Sequence, residues 1–267
     1  MTCEIPLAVI LGCAGTKLTS QEQQLFKEIN PFGLILFARN CANPDQIKAL
    51  TSQFRDVIGQ KNAPVFIDQE GGRVTRLKQP CWRHPPPAHK FVELAIAKGN
   101  DVAIKAIRLN SRLIAEDLKT MGINVNCAPV LDIHVNSADP IVGDRALGGD
   151  IERIEKLGAA LCSGLLSGSV LPVIKHIPGH GRALVDSHRA LPTVDAQIEQ
   201  LMEMDFEPFR RLNKMPLAMT AHVIFSKIDG HYPATVSPKV IEEVIRGYIA
   251  FDGLLISDDL SMQALSG

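Results

Sequence analysis

Residues 175–188 read KHIPGHGRALVDSH, with three imidazoles, two cationic side chains and an aspartate in one short stretch. Two kinds of chemistry use such a set: metal ligation and proton transfer. His176 and His180 are four apart, the spacing that brings two ligands together on a helix face. Pro178, Gly179 and Gly181 argue against a helix there. Strand-end residues such as His176, His222 and Asp258 could still hold a metal, but no spacing in the chain demands one, and neither metal nor cofactor is expected. Asp186 and His188 flank Ser187. In a turn, that spacing brings a carboxylate beside an imidazole, where it orients the ring and favours the charged form. Such a pair donates and accepts a proton near neutral pH.

Carboxylates supply the other half of a possible reaction. Asp258 and Asp259 end the apolar run GLLISDD, and alternation along a strand lets only one face a given side. Asp68 ends PVFID and is followed by GlnGluGlyGly, whose glycines let backbone or ligand come close. Arg73, Arg76 and Arg145 add donors suited to sugar hydroxyls.

These residues lie at the ends of short apolar runs: 7–12, 33–39, 64–68, 123–132, 171–176, 216–222 and 253–259. Between the runs, amphipathic periodicity predicts helices over 21–29, 44–58, 101–121, 151–166, 196–212 and 239–250. Pro44-Asp45, Asp101 and Ser237-Pro238 are helix-start signals. Buried strands each followed by a helix imply an α/β fold with a parallel sheet. Seven of them, most ending in Arg39, Asp68, Asp132, Lys175-His176, His222 or Asp258, favour a TIM-type (β/α) barrel, in which strand carboxyl ends share one mouth. An open Rossmann sheet is the alternative, but GCAGTKL lacks its glycine spacing. The chain stops at Gly267, so the barrel is expected to lack its last strand and helix. The whole of 1–267 reads as one domain.

Composition narrows the class. The 267 residues are 46% hydrophobic and carry a net charge of −1 from 28 basic and 29 acidic side chains, so no nucleic-acid footprint is visible. The six cysteines, at 3, 13, 41, 81, 127 and 162, show no CxxC spacing and read as small core residues in a reducing compartment. The amino-terminal stretch lacks a basic leader. The uncharged run 157–174 is broken by glycines and a proline, which suits a helix, turn and strand better than a membrane span. A cytoplasmic monomer is expected.

The motifs GLILFARN, IDQEGGRVTRL, APVLDI, VGDRAL, KHIPGHG…DSH, AHVIFSKID and FDGLLISDDLSM occur in this order. With them the chain resembles bacterial β-N-acetylhexosaminidases of glycoside hydrolase family three. The resemblance implies a retaining enzyme that removes terminal N-acetylglucosamine. It implies Asp258 as nucleophile, His188 as acid/base paired with Asp186, and sugar contacts from Asp68, Arg76, Arg145, Lys175 and His176. Its implied substrate is a cell-wall fragment, N-acetylglucosamine linked to anhydro-N-acetylmuramic acid, met in peptidoglycan recycling. Ile177 stands where the family commonly has phenylalanine. A phosphorylase, or a sugar-binding protein without turnover, are the competing readings.

Overall fold

The structure is a computed structural model that describes residues 5–135, 142–185 and 190–262. Seven strands form one parallel sheet: β1 (Leu7–Leu11), β2 (Pro31–Leu36), β3 (Val65–Ile67), β4 (Val125–Asn126), β5 (Leu171–Ile177), β7 (Leu217–Thr220) and β9 (Leu254–Ile256), hydrogen-bonded in that order. Every neighbouring pair is parallel. The sheet curls into a partial (β/α) barrel, and β1 and β9 are its two edges among the described residues. A second small sheet pairs β6 (Thr193–Val194) with β8 (Ile224–Phe225).

Helices α1 (Ser20–Ile29), α2 (Pro44–Ile58), α3 (His89–Lys98), α4 (Asn100–Thr120) and α5 (Ile151–Ser167) join the strands. Local chemistry sets their ends. Thr19 and Glu22 form a reciprocal capping box on α1. Asn43 caps α2, with Pro44 at its first turn and Gly59 in the left-handed conformation after it. The Asp150 carboxylate accepts the Arg153 N–H at the start of α5. None of the helices is long and apolar enough to cross a membrane, among the described residues.

Side chains on alternate strand positions separate two cores. Val65 and Ile67 face outward to α1 and α2, joining Phe26, Phe54 and Leu50. Phe66 points inward and meets Val125, Cys127, Val173, Leu217 and Met219, which fill the barrel interior. The layer beneath α4 and α5 is built on Ile107, Ile154 and Leu157 with Ile174 and Ala218 of the sheet.

The structure corrects several element boundaries. The strand expected over 33–39 ends at Leu36, and Ala38–Asn40 form a tight turn whose Arg39 Nε donates back to the Cys13 carbonyl. The run 123–132 holds only a two-residue strand, because Pro129 interrupts it. The helix expected over 196–212 is three pieces: α6 (Ile198–Gln200), a wide π turn (Leu201–Asp205) and α7 (Glu207–Arg211). Pro208 lacks the N–H that a continuous α-helix would use there. The last helical segment, Val240–Tyr248, is also π-helical, and Ser237 Oγ accepts the Val240 N–H at its start, as the Ser-Pro signal predicts. Helix α3 and the small sheet have no counterpart in the sequence reading. Cys13, Cys127 and Cys162 are buried as expected, whereas Cys81 is exposed.

Candidate active site

The carboxyl ends of the strands meet in one cleft, lined by Asp68, Glu70, Arg76, Arg145, Lys175, His176, His180 and Asp258 together with Arg73, Val74 and Val142. The described residues enclose about 230 Å³. That lies below the ~300–1,000 Å³ usual for drug-sized ligands and suits one sugar ring better than several.

Each wall is placed by its element. Asp68 follows β3 directly, and Glu70 lies two residues on, in a turn where Glu70 and Gly71 N–H groups both donate to the Val74 carbonyl. Gly71 has a φ of 112°, and a Cβ there would collide with the Pro86 carbonyl oxygen. Only glycine therefore lets this loop tuck beneath the segment 85–87. Lys175 and His176 come from the end of β5. The β5–β7 ladder pairs Lys175 with Met219 and Ile177 with Thr220, so His176 is the extra residue of a bulge. A bulge re-aims side chains, and here both Lys175 and His176 line the cleft. Arg145 ends the short turn Gly143–Arg145, and Asp258 follows β9.

Charges on one side of the cleft interlock. Lys175 Nζ lies 2.6 Å from Glu70 Oε1 and 3.0 Å from Asp68 Oδ1. Arg145 grips Glu70 with both prongs, at 2.9 and 2.8 Å. Arg76 Nη2 donates to Asp68 Oδ2 at 3.0 Å. Burial alone would raise the Glu70 carboxyl; Arg145 and Lys175 outweigh it and hold Glu70 well below the usual carboxylate range. Asp68 is likewise lowered against burial by Lys175 and Arg76. Burial opposes the charge on Lys175, but Glu70 and Asp68 raise its pKa. The result is an interlocked set of donors and acceptors in which Asp68, Glu70, Arg145 and Lys175 stay ionised at neutral pH.

Behind His176 and His180, Asp132 is fully buried and collects three donors. His176 Nδ1 lies 2.7 Å from its Oδ2, and the His176 and His180 backbone N–H groups donate to Oδ1 at 3.2 and 2.7 Å. Burial pushes the Asp132 carboxyl up, but His176 reverses this and lowers it. An ionised Asp132 fixes the proton of His176 on Nδ1. Nε2 then faces Asp258 Oδ2 at 3.8 Å, beyond hydrogen-bond range. The His180 ring is pushed down to about 4 by burial, then by His176, so it is neutral at physiological pH.

The strand expected over 253–259 ends at Ile256, so Asp258 and Asp259 separate in the turn that follows it and not by strand alternation. Asp258 lines the cleft, its side chain 23% exposed. Asp259 turns its Oδ1 back onto the Ser261 N–H and hydroxyl, at 2.8 and 2.7 Å. His222, weighed above as a metal ligand with His176 and Asp258, directs its ring nitrogens to Thr235 and the Asp259 carbonyl instead. Among the described residues no group of three or more His, Cys, Asp or Glu side chains could hold a metal.

Asp186 and His188 lie outside the described residues, but both approaches to them are held. On the amino side, Arg182 Nε donates to the buried Asp205 at 2.7 Å, and a Cβ on Gly181 would collide with the Ile133 carbonyl oxygen. Burial raises the Asp205 carboxyl to about 6 despite Arg182. On the carboxyl side, β6 pairs with β8. The cleft thus unites Asp68, Arg76, Arg145, Lys175, His176 and Asp258. Sequence reasoning missed Glu70 and did not link Asp132 to His176. Nothing local in the sequence marks Glu70: the need for its charge follows only once Lys175 and Arg145 are seen to be buried beside it.

Comparison with known proteins identifies the family. Residues 7–267 match the glycosyl hydrolase family 3 N terminal domain. A β-hexosaminidase of Pseudomonas aeruginosa is 37% identical over 257 residues, covering 96% of this chain and 74% of that protein. NagZ from Neisseria gonorrhoeae, solved in complex with N-trifluoroacetyl-D-glucosamine, superposes with a TM-score of 0.90 at 30% identity, over 98% of this chain and 77% of that one. A family 3 β-N-acetylglucosaminidase from Paenibacillus gives a TM-score of 0.87 at 33% identity, over 96% of this chain but 48% of its own length. On the match over nearly its whole length and on these relatives, the chain belongs to glycosyl hydrolase family 3, as a glycosidase domain of the β-hexosaminidase type.

Proposed function

We propose that this chain is a retaining β-N-acetylglucosaminidase that releases terminal non-reducing N-acetylglucosamine from peptidoglycan fragments in the cytoplasm, the whole of 1–267 acting as one catalytic domain. One observation carries the reading. The Asp258 carboxylate, 3.8 Å from His176, lines a ring-sized cleft together with the ionised network of Asp68, Glu70, Arg145 and Lys175. The N-acylglucosamine bound by the gonococcal relative supports the choice of sugar.

In this reading the network and Arg76 hold the sugar hydroxyls and acetamido group. An Asp258 oxygen attacks the anomeric carbon as the glycosidic bond breaks. His188, held by Asp186, delivers its proton to the departing oxygen. The glycosyl-aspartate so formed is attacked by water, whose proton returns to His188. The Nδ1-protonated His176 lines the cleft beside Asp258 and limits how far that carboxylate can turn.

The test is covalent. A fluorinated N-acetylglucosaminide that forms the intermediate quickly and hydrolyses slowly should label Asp258, and Asp258→Ala should abolish turnover of an aryl β-N-acetylglucosaminide while the protein stays folded. A label on Asp259 or Asp68 would refute the assignment.

A further inference from the structure

His222 is buried, only 1% exposed, and no step above uses it. It follows β7, two strand positions from Thr220. Its Nε2 lies 3.1 Å from the Asp259 carbonyl oxygen and its Nδ1 2.7 Å from Thr235 Oγ1. A carbonyl can only accept, so Nε2 carries the hydrogen. Nδ1 is hydrogen-bonded to Thr235 Oγ1, whose hydroxyl also donates to the Ala221 carbonyl at 3.1 Å. Thr220 Oγ1 lies 2.9 Å from Thr235 Oγ1. The bonds link Thr220, Thr235 and His222 to residue 259 and, through Ala221, to the end of β7.

Residue 259 governs the orientation of its neighbour. Its N–H donates to Asp258 Oδ1 at 2.8 Å, leaving Oδ2 turned to the cleft. The turn that follows closes on itself: the Asp259 carbonyl also accepts the Met262 N–H, and the Asp259 carboxylate accepts from Ser261. These bonds shape the turn. The His222 bond ties it to β7 and so to the frame that carries Lys175 and His176 across the β5–β7 ladder.

We propose that His222 is a positioning residue for the Asp258 carboxylate, acting through the Asp259 carbonyl and backed by Thr235. The inference rests on Asp258 being the nucleophile. Attack requires the reacting atoms at ~3–3.5 Å and aligned, and a misplacement of about 1 Å can lower the rate about a hundredfold. His222 does not line the cleft and bonds through its ring to Thr235 and the Asp259 carbonyl, so its loss should fall on the bond-forming step and not on sugar affinity.

The experiment compares His222→Ala, His222→Gln and Thr235→Val in the full chain. The readouts are kcat on an aryl β-N-acetylglucosaminide, the rate of labelling by the fluorinated sugar, and inhibition by free N-acetylglucosamine. His222→Ala should lower kcat and labelling about a hundredfold with the inhibition constant unchanged. His222→Gln, whose amide N–H reaches toward the Asp259 carbonyl, should recover at least tenfold of that loss. Thr235→Val should lose about tenfold. A His222→Ala rate within threefold of the parent overturns the proposal. So does a Gln variant as impaired as Ala, or a loss confined to the inhibition constant. Should the Ala variant not fold, Thr235→Val decides: an unchanged kcat overturns the proposal. If Asp258 takes the label but these variants behave as the parent, only the positioning role fails. If the label falls elsewhere, the nucleophile reading itself fails.

Discussion

Replacing Glu70 by glutamine removes one negative charge from the centre of the buried network and changes little else. Glu70 and Arg145 side chains are each 9% exposed and Lys175 is 3% exposed, so water cannot take over the lost interaction. Breaking one side of a buried pair generally costs about 3–5 kcal/mol, because the partner's charge is left uncompensated. Asp68 still pairs with Lys175 at 3.0 Å, which places the expected loss near the lower end, about 3 kcal/mol. For a chain of this size that is a fall in Tm of about 6–12 °C. The sign with pH follows from the lowered pKa of Glu70. Its contribution is fully present above the ordinary value of 4.5 and is lost as pH falls toward the depressed one. The gap between parent and variant should therefore be constant from pH 6 to 8 and narrow below 4.5. Thermal melts across this range, with Glu93→Gln as a control at an exposed Lys90 pair, make the measurement. Inhibition by N-acetylglucosamine should weaken in parallel, since Lys175 and Arg145 lose the group that aims them. A Glu70→Gln variant melting within 2 °C of the parent, or one whose deficit persists unchanged at pH 3.5, would refute the view that charge pairing holds this wall together.

His188→Ala should lower turnover about a hundred- to ten-thousand-fold on substrates whose leaving group needs a proton, and less in the labelling step with a good phenolate. Asp186→Asn should show a smaller defect of the same kind. Aryl glycosides spanning leaving-group pKa make the comparison, and equal sensitivity in parent and His188→Ala would remove the acid/base role. Asp205, with its carboxyl raised to about 6 from 3.8, binds its proton more tightly in the folded state. Its favourable contribution is present at low pH and lost as pH rises through about 6, a change of up to about 3 kcal/mol. The stability of Asp205→Asn relative to the parent should therefore increase between pH 4 and 7 in urea titrations, and a flat difference would contradict the raised pKa.

Much of the architecture is written locally. Apolar runs at helix-length intervals predict the parallel α/β order, and caps such as Thr19–Glu22 and Asn43-Pro44 act within a few residues, so their outcome needs no distant partner. Polar residues at the ends of those runs predict the cleft, because a parallel barrel brings all strand carboxyl ends to one mouth. Alternation predicts that Asp258 and Asp259 part company, but β9 ends at Ile256 and the turn after it separates them instead. What the chain could not reveal alone are pairings across long separations. Glu70 meets Arg145 and Lys175, Asp132 receives His176, and Arg182 meets Asp205 only once strands far apart in sequence lie side by side. Periodicity carries the direction of a side chain but not the identity of what stands opposite. The bulge at His176 and the π turn before Pro208 were hidden for the same reason, since each is decided by the neighbour it packs against. His222 shows the difference most clearly. In sequence it is one more strand-end histidine, eligible to bind a metal; in the fold both its nitrogens are already engaged, and its chemistry becomes that of a strut beneath Asp258.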